Sequence, residues 1–378
     1  MNHAMRDKTA LVLGANAGQA DLIRYLAGHG WRVTACAHRP GGAGAKLAHD
    51  FALVDINDRD GVTELARAIG ADLVYSVSSD LAVPAAVEAS TRLNLPHYFD
   101  HDLVALLDDK AALRAHLNAR DLSVVPYRRL KTLEDCADWS AFPCMVKPAD
   151  SQGQRGVAKV DEAGDFEAAV RRALDLSPTG TAIVEAWLEG VEISYNVLVA
   201  DGRVVVNECS ERLVHGEHLV GVPSGHLIPP VAVDQTVVDQ GAGLVEAVVA
   251  SMGVRDGTLY FQMKATPDGP KIIEIAPRLD GCHIWRLMKH ARDLDYLDLA
   301  VRRLMGEDVS ALTAGRPADG VYELMFQQTP PGVAFSAADF PIPEDALHHE
   351  YRYEDGETVL PINGRMEVVG YYVRRRAD

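Results

Sequence analysis

Several things are scarce in this 378-residue chain. Five cysteines, Cys36, Cys136, Cys144, Cys209 and Cys282, are scattered and form no CxxC pair. That spacing argues against a disulfide framework or a cysteine-rich structural zinc site and fits a reducing, cytoplasmic setting. No stretch approaches the roughly 20 apolar residues of a membrane-spanning helix, so no membrane partner is expected. The opening segment MNHAMRDKTALVLGANAG reads as a buried strand entering a glycine turn rather than a leader peptide. Positive charge is short too: 37 Lys and Arg stand against 54 Asp and Glu, a net charge of -17. Nucleic-acid binding needs a basic face to displace counterions, so DNA and RNA are not expected partners. A local basic pocket can still hold a nucleotide, because net charge governs bulk association more than one buried site.

What remains is ordinary globular composition, 48% hydrophobic and 24% charged. The length suits two or three compact units sharing a cleft. Residues 1–100 alternate strand and helix patterns: TALVLGA, a helix from Gln19 to His29, WRVTACAH, FALVDI, a helix near Val62 to Ile69, DLVYSVS, and a helix over Val83 to Leu93. This is the signature of a parallel sheet with crossover helices, an α/β unit. Gly14 and Gly18 in LGANAG stand where the first strand turns into a helix. The full GxGxxG spacing is absent, so a close-packing turn is the preferred reading and a dinucleotide site the alternative.

Residues 101–190 read as linker helices, with Asp108 or Asp109 capping the second, followed by a small α+β lobe. Residues 191–310 carry two hairpins, around Asp201–Gly202 and Asp268–Gly269, separated by the irregular-looking ERLVHGEHLVGVPSGHLIPP. Residues 311–378 return to short strands as a mostly β extension.

Three clusters carry chemistry. Lys147 lies on a strand followed by a loop containing Ser151, Gln152, Gly153, Gln154, Arg155 and Gly156. Such an arrangement can place an ammonium beside one phosphate while loop amides cover others. The plain alternative is a hairpin whose glycines serve only the turn. In IVEAWLEGVEI, Glu185, Trp187, Leu188 and Glu192 fall where a strand meets a hinge. Backbone groups there can bond an adenine edge and a carboxylate can accept from ribose hydroxyls; Trp187 and Leu188 can equally be core. In the third cluster, a type I turn over Pro267–Gly269 places Gln262 opposite Glu274. Alternation then groups Glu274, Ala276 and Arg278 on one face and sends Ile273 and Ile275 into the core with Leu259, Phe261 and Met263. Paired oxygen ligands suit magnesium and Arg278 suits a transferring phosphoryl group, against the alternative of a surface ion pair.

Taken in order, Lys110, Lys147 with its loop, EAWLEGVE and FQMKATPDGPKIIEIAPRLDG resemble the ATP-grasp superfamily. The likeness is to carboxylate-amine ligases of a carbamoyl-phosphate-synthase-like branch, and it runs from roughly Ala4 to Asp308. It implies a Rossmann-like N-terminal (pre-ATP-grasp) domain followed by a two-lobed α+β ATP-grasp domain. It also implies ATP with Mg2+, or Mn2+, as cofactors. By resemblance, Lys110 and Lys147 contact phosphates and the loop from Ser151 to Gly156 folds over them. Glu185, Trp187 and Leu188 would frame adenine, Glu192 would hold ribose, Gln262 and Glu274 would bind metal, and Arg278 would steady the γ-phosphate and acyl phosphate. Ala276 departs from the asparagine usual there, which removes one metal ligand.

The activity so implied is activation of a small-molecule carboxylate as an acyl phosphate and its coupling to an amine, with release of ADP and phosphate. Arg212, His215, His226, His283 and Arg286 are the candidate substrate-side residues, and a homodimer is compatible with the family. The alternatives are a small-molecule kinase of the same fold, a nicotinamide-dependent oxidoreductase using LGANAG, and a non-catalytic nucleotide sensor.

Overall fold

A computed structural model describes residues 8–151, 155–216, 221–361 and 366–377. The chain opens with β1 (Thr9–Leu13), α1 (Ala17–Gly28), β2 (Arg32–Ala37), α2 (Ala43–Leu47), β3 (Asp50–Leu53), α3 (Arg59–Ile69), β4 (Leu73–Tyr75) and α4 (Val83–Leu93). The strands pair in parallel in the order β3-β2-β1-β4. Asn16 caps α1 by accepting from the Gln19 amide, and α3 runs from an Asp58 cap to a left-handed Gly70. The LGANAG turn is filled by the chain itself. The buried Gln19 side chain donates to Ser76 Oγ at 2.9 Å and accepts from the Val77 amide at 3.1 Å. A methyl group on Gly18 would collide with Ser78 Oγ. The turn thus locks α1 against the end of β4, which is the close-packing role.

Next come α5 (His101–Asp108), α6 (Lys110–Asn118), β5 (Tyr127–Leu130), β6 (Cys144–Pro148), β7 (Ala158–Val160), α7 (Phe166–Leu176) and β8 (Ala182–Ala186). Asp109 caps α6, its carboxylate accepting from the amides of Ala111 and Ala112 at 2.9 and 3.0 Å. The four strands form an antiparallel sheet, β5-β8-β6-β7, with α7 covering one face through Phe166, Val170 and Ala173.

The remainder supplies β9 (Val191–Ala200), β10 (Arg203–Val214), β11 (Pro223–Ile228), α8 (Gln235–Ser251), β12 (Gly257–Thr266), β13 (Gly269–Ala276), α9 (Ile284–Arg292), α10 (Tyr296–Leu304), β14 (Tyr322–Thr329), β15 (His348–Tyr351) and β16 (Glu367–Arg375). They build one antiparallel sheet in the order β13-β12-β9-β10-β11-β14-β16-β15. The strands after residue 311 therefore continue the sheet begun at β9. Asp201 and Gly202, both at positive φ, make the tight turn between β9 and β10.

Two expectations are corrected here. In the segment 211–230, read as irregular, residues 211–214 and 223–228 belong to the antiparallel pair β10–β11, with Arg212 opposite His226. In the β12–β13 hairpin Gln262 does stand opposite Glu274, but the register shifts immediately after, so that Met263 pairs with Ile272. Ile273 is the extra residue of a bulge and is only half-buried, while Ile272 takes its place in the core.

The first sheet joins the last through a shared apolar layer. Ala10, Val12, Leu22, Leu26 and Val33 pack with Trp285, Leu287, Met288 and Leu299 from α9 and α10. Asp21 on α1, 2% exposed, pins this layer. It accepts from Trp285 Nε1 at 2.8 Å and from Arg286 at 2.6 Å, with His283 Nδ1 at 3.2 Å.

Candidate active site

One face of the long sheet carries a polar band. Antiparallel pairing sets Glu274 beside Gln262, Gln262 beside Ser194 and Ser194 beside Ser210. A parallel row runs from Lys264 to Glu192, and Arg212 stands opposite His226. Side-chain alternation keeps these residues on one side of the pleat. Glu192, 7% exposed, gathers the row: Arg212 Nη1 donates to its Oε2 at 2.5 Å, Gln262 Nε2 at 3.0 Å, and Lys264 Nζ lies 3.7 Å from Oε1. Burial works against the Arg212 charge, but the surrounding anionic groups, Glu192 among them, offset it and raise its pKa.

The edge of this band meets the start of α6. Lys110 Nζ donates to the Ser151 carbonyl at 2.9 Å and stands 3.6 Å from Glu274 Oε1. Glu274 remains 33% exposed in its side chain and lines a crevice with Asp80, Lys110 and Ala276. Arg278 is bound to one of these lining residues, Asp80. Asp80, just past β4 of the parallel sheet, grips its guanidinium bidentately at 2.7 and 2.8 Å, and Tyr260 lies beneath it at 5.5 Å. Burial lowers the Arg278 pKa and Asp80 more than reverses that. The crevice thus lies at the carboxyl end of a parallel strand, where open α/β sheets place ligands.

On the small lobe, Lys147 of β6 and Glu185 of β8 are diagonal neighbours, and Lys147 Nζ donates to Glu185 Oε2 at 2.5 Å. Arg114 from α6 reaches the other oxygen at 2.7 Å. Burial alone would raise the Glu185 pKa, but Lys147 and Arg114 bring it down to about 2. Ser151 Oγ donates to the Leu176 carbonyl at 2.9 Å. Gly156, at φ +74°, lies where a Cβ would come 2.8 Å from Pro148 Cγ. Gln152, Gly153 and Gln154 lie outside the described residues. Trp187 is flanked by Lys159 and Lys264 at 4.9 and 5.1 Å from its ring centre, and Leu188 follows it, half-buried.

The five substrate-side candidates do not converge on one point. Arg212 and His226 share the polar band. His215 pairs with Gln328 at 2.7 Å. His283 and Arg286 are held by Asp21 at the joint between the two sheets. Sequence reasoning missed Arg114, Asp80, Asp280 and Arg352, whose guanidinium approaches His283 Nε2 at 3.1 Å. Asp80 had a visible signal, an acid just past a predicted parallel strand; Arg114 was masked by apolar helical periodicity.

Residues 140–285 match the family described as ATP-grasp domain. The chain carries an ATP-grasp domain. Over 324 residues it is 22% identical to the phosphoribosylamine–glycine ligase of Caulobacter vibrioides, covering 81% of this chain and 75% of that one. It is 23% identical to the carbamoyl phosphate synthase large chain of Pseudothermotoga lettingae, covering 56% of this chain but 19% of that much longer protein. The L-amino acid ligase of Bacillus licheniformis superposes with a TM-score of 0.79 at 17% identity, covering 99% of this chain and 95% of that structure. The fold shared with that structure extends over the first sheet and the C-terminal strands.

Proposed function

We propose that this ATP-grasp chain is an ATP-dependent carboxylate-amine ligase. A substrate carboxylate oxygen attacks the γ-phosphorus of ATP as the bond to the ADP oxygen breaks. The amine then attacks the acyl carbon and phosphate leaves, forming the C–N bond. The observation that carries this reading is the pairing of Gln262 with Glu274 on neighbouring strands, with Lys110 Nζ 3.6 Å from Glu274 Oε1. The similarity to phosphoribosylamine–glycine ligase supports it.

In this reading Lys110 and Lys147 bind phosphate oxygens, and the backbone around Trp187 and Leu188 frames the base. Glu185, expected to frame adenine beside Trp187 and Leu188, is instead 5% exposed and bonded to Lys147 and Arg114, so it acts by orienting the Lys147 ammonium, and Glu192 receives the ribose. Gln262 and Glu274 offer hard oxygen ligands on neighbouring strands, a donor set that fits magnesium or manganese completed by phosphate oxygens and water. A bound magnesium ion supplies neutralisation of the triphosphate charge. Arg278, held in place by Asp80, faces the transferring phosphoryl group, and Arg212 lies toward the substrate. Five free cysteines suit the cytoplasm. No helix among the described residues is long and apolar enough to cross a membrane. A homodimer of the chain is compatible with the reading.

ADP release is the test, with ATP, magnesium and pooled amino and hydroxy acids as substrates. A pool that drives turnover in the wild type and fails with folded Glu274→Ala supports the assignment. Hydroxylamine trapping of an acyl phosphate identifies the ligase route. ATP that fails to bind at all overturns it.

A further inference from the structure

Behind the phosphate-facing residues, β11 and the loop after β13 enclose a second polar cluster. His226 is 0% exposed, Asp280 is 4% exposed, and Cys282 is the half-buried member of five otherwise buried cysteines. One ligand atom from each of these three side chains lies within 4.8 Å of the other two.

The hydrogen bonding at this cluster is incomplete. His226 Nδ1 lies 3.2 Å from Ser210 Oγ, which in turn bonds Ser194 Oγ at 2.8 Å. Among the described residues neither His226 Nε2 nor Asp280 Oδ2 has a hydrogen-bond partner. They face each other across 3.7 Å, too far for a hydrogen bond. In the tautomer that carries its proton on Nδ1, the Nε2 lone pair faces Asp280 Oδ2.

The neighbouring cations do not resolve this. Arg212 engages Glu192 through Nη1 and the Gly221 carbonyl through Nη2, while its buried Nε has no hydrogen-bond partner among the described residues. Arg278 spends its donors on Asp80 and the Leu279 carbonyl. Asp280 Oδ1 already accepts from the Cys282 amide at 3.1 Å. Asp280 Oδ2 therefore accepts no hydrogen bond from either nearby arginine among the described residues.

We infer that His226 Nε2, Asp280 Oδ2 and Cys282 Sγ are the ligands of one zinc-class divalent ion, at a site distinct from the Gln262–Glu274 pair. Three atoms so spaced all lie within about 2.8 Å of a common point, so closure by at most about 0.5–0.8 Å gives zinc bonds of about 2.0–2.3 Å. A mixed nitrogen, oxygen and sulfur set selects zinc over magnesium, which prefers oxygen throughout. Coordination breaks the Cys282 S–H bond and releases its proton to solvent. One thiolate and one carboxylate then balance the divalent charge. Ser210 is the outer partner that fixes the imidazole tautomer. Three protein ligands leave a fourth position open.

Untagged, full-length protein is loaded with zinc or cobalt, dialysed against excess magnesium and assayed for metal per chain. The expected result is one retained ion, with a thiolate-to-cobalt charge-transfer band that disappears in Cys282→Ser, and retention that collapses in His226→Gln. Failure to retain metal overturns the proposal. So does retention unchanged in both variants, or retention abolished by Glu274→Ala, which would assign the ion to the other pair. A variant-free measurement guards against misfolding. Zinc should slow maleimide alkylation of Cys282 in the wild type at least about tenfold, since coordination ties up the sulfur lone pair that attacks the maleimide, and a chelator should restore it. An alkylation rate indifferent to zinc, as expected if water alone fills the gap, also overturns it.

Discussion

Replacing Glu185 with glutamine should destabilise the small lobe by about 3 kcal/mol at neutral pH, the lower end of the loss for breaking one side of a buried ion pair. The substitution leaves two buried cations facing a neutral amide: the Arg114 and Lys147 side chains are 3% and 10% exposed. The carboxyl itself gives a second route to the magnitude. Its pKa is held at about 2 against an ordinary 4.5, a depression worth roughly 3 kcal/mol by linkage. Because the folded pKa is depressed, that stability is fully present above about pH 4.5 and is lost as pH falls towards 2. The gap between wild type and Glu185→Gln should therefore be full at pH 7, narrowed at pH 3 and nearly closed at pH 2. Hydrogen exchange of amides across β6 and β8 in mild denaturant reads this lobe separately from the rest of the chain. A gap below about 1 kcal/mol at pH 7, or one that acid leaves unchanged, would refute the claim that Glu185 is the anion holding both cations.

Asp80→Asn removes the charged half of a bidentate pair worth about 1.5–3 kcal/mol per hydrogen bond. ADP-forming kcat should fall about tenfold or more with the KM for ATP nearly constant, whereas a merely structural role would lower Tm and spare kcat. Asp21→Ala strips the buried acceptor from His283, Trp285 and Arg286 and should destabilise the joint between the sheets by about 3–5 kcal/mol in urea unfolding. Burial alone would raise the Asp21 pKa, but His283 and Arg286 hold it far below the ordinary 3.8. The wild-type advantage over the variant should therefore persist above about pH 4 and fade in stronger acid. Gly156→Ala meets both a left-handed backbone and Pro148 Cγ at 2.8 Å, and should lower small-lobe stability by about 1–3 kcal/mol, seen as faster local exchange around β7.

The parts of this molecule readable from sequence are those set by local periodicity and turns. The opening α/β alternation and the placement of Gln262 opposite Glu274 follow from period and from the Asp268–Gly269 turn. The bulge at Ile273 was invisible because both Ile272 and Ile273 are equally apolar, and only the partner strand decides which enters the core. Segment 211–230 was misread because His, Gly and Pro resemble loop composition. Yet Gly225 lies against the Leu324 carbonyl and the Met325 side chain on β14, where a larger residue would clash. Pairings such as Arg278 with Asp80, 198 residues apart, and Arg114 with Glu185, 71 apart, leave no local trace.

The cleft's cations share a property that bears on how a chain of net charge -17 can take up ATP. Arg278 rests on Asp80, Arg212 on Glu192, Lys147 on Glu185 and Lys110 near Glu274. The first three contacts are short, 2.5 to 2.7 Å, and their carboxylates are at most 24% exposed. They fix the direction of each donor before any ligand arrives, which is the condition for electrostatic stabilisation without reorganisation. The Lys110–Glu274 contact is different, at 3.6 Å with a carboxylate 33% exposed. In the proposed reading it is the contact that exchanges: Lys110 turns to a phosphate oxygen as Glu274 takes up metal, so both charges gain a closer partner. Three rigid pairs position the donors, and one loose pair makes room.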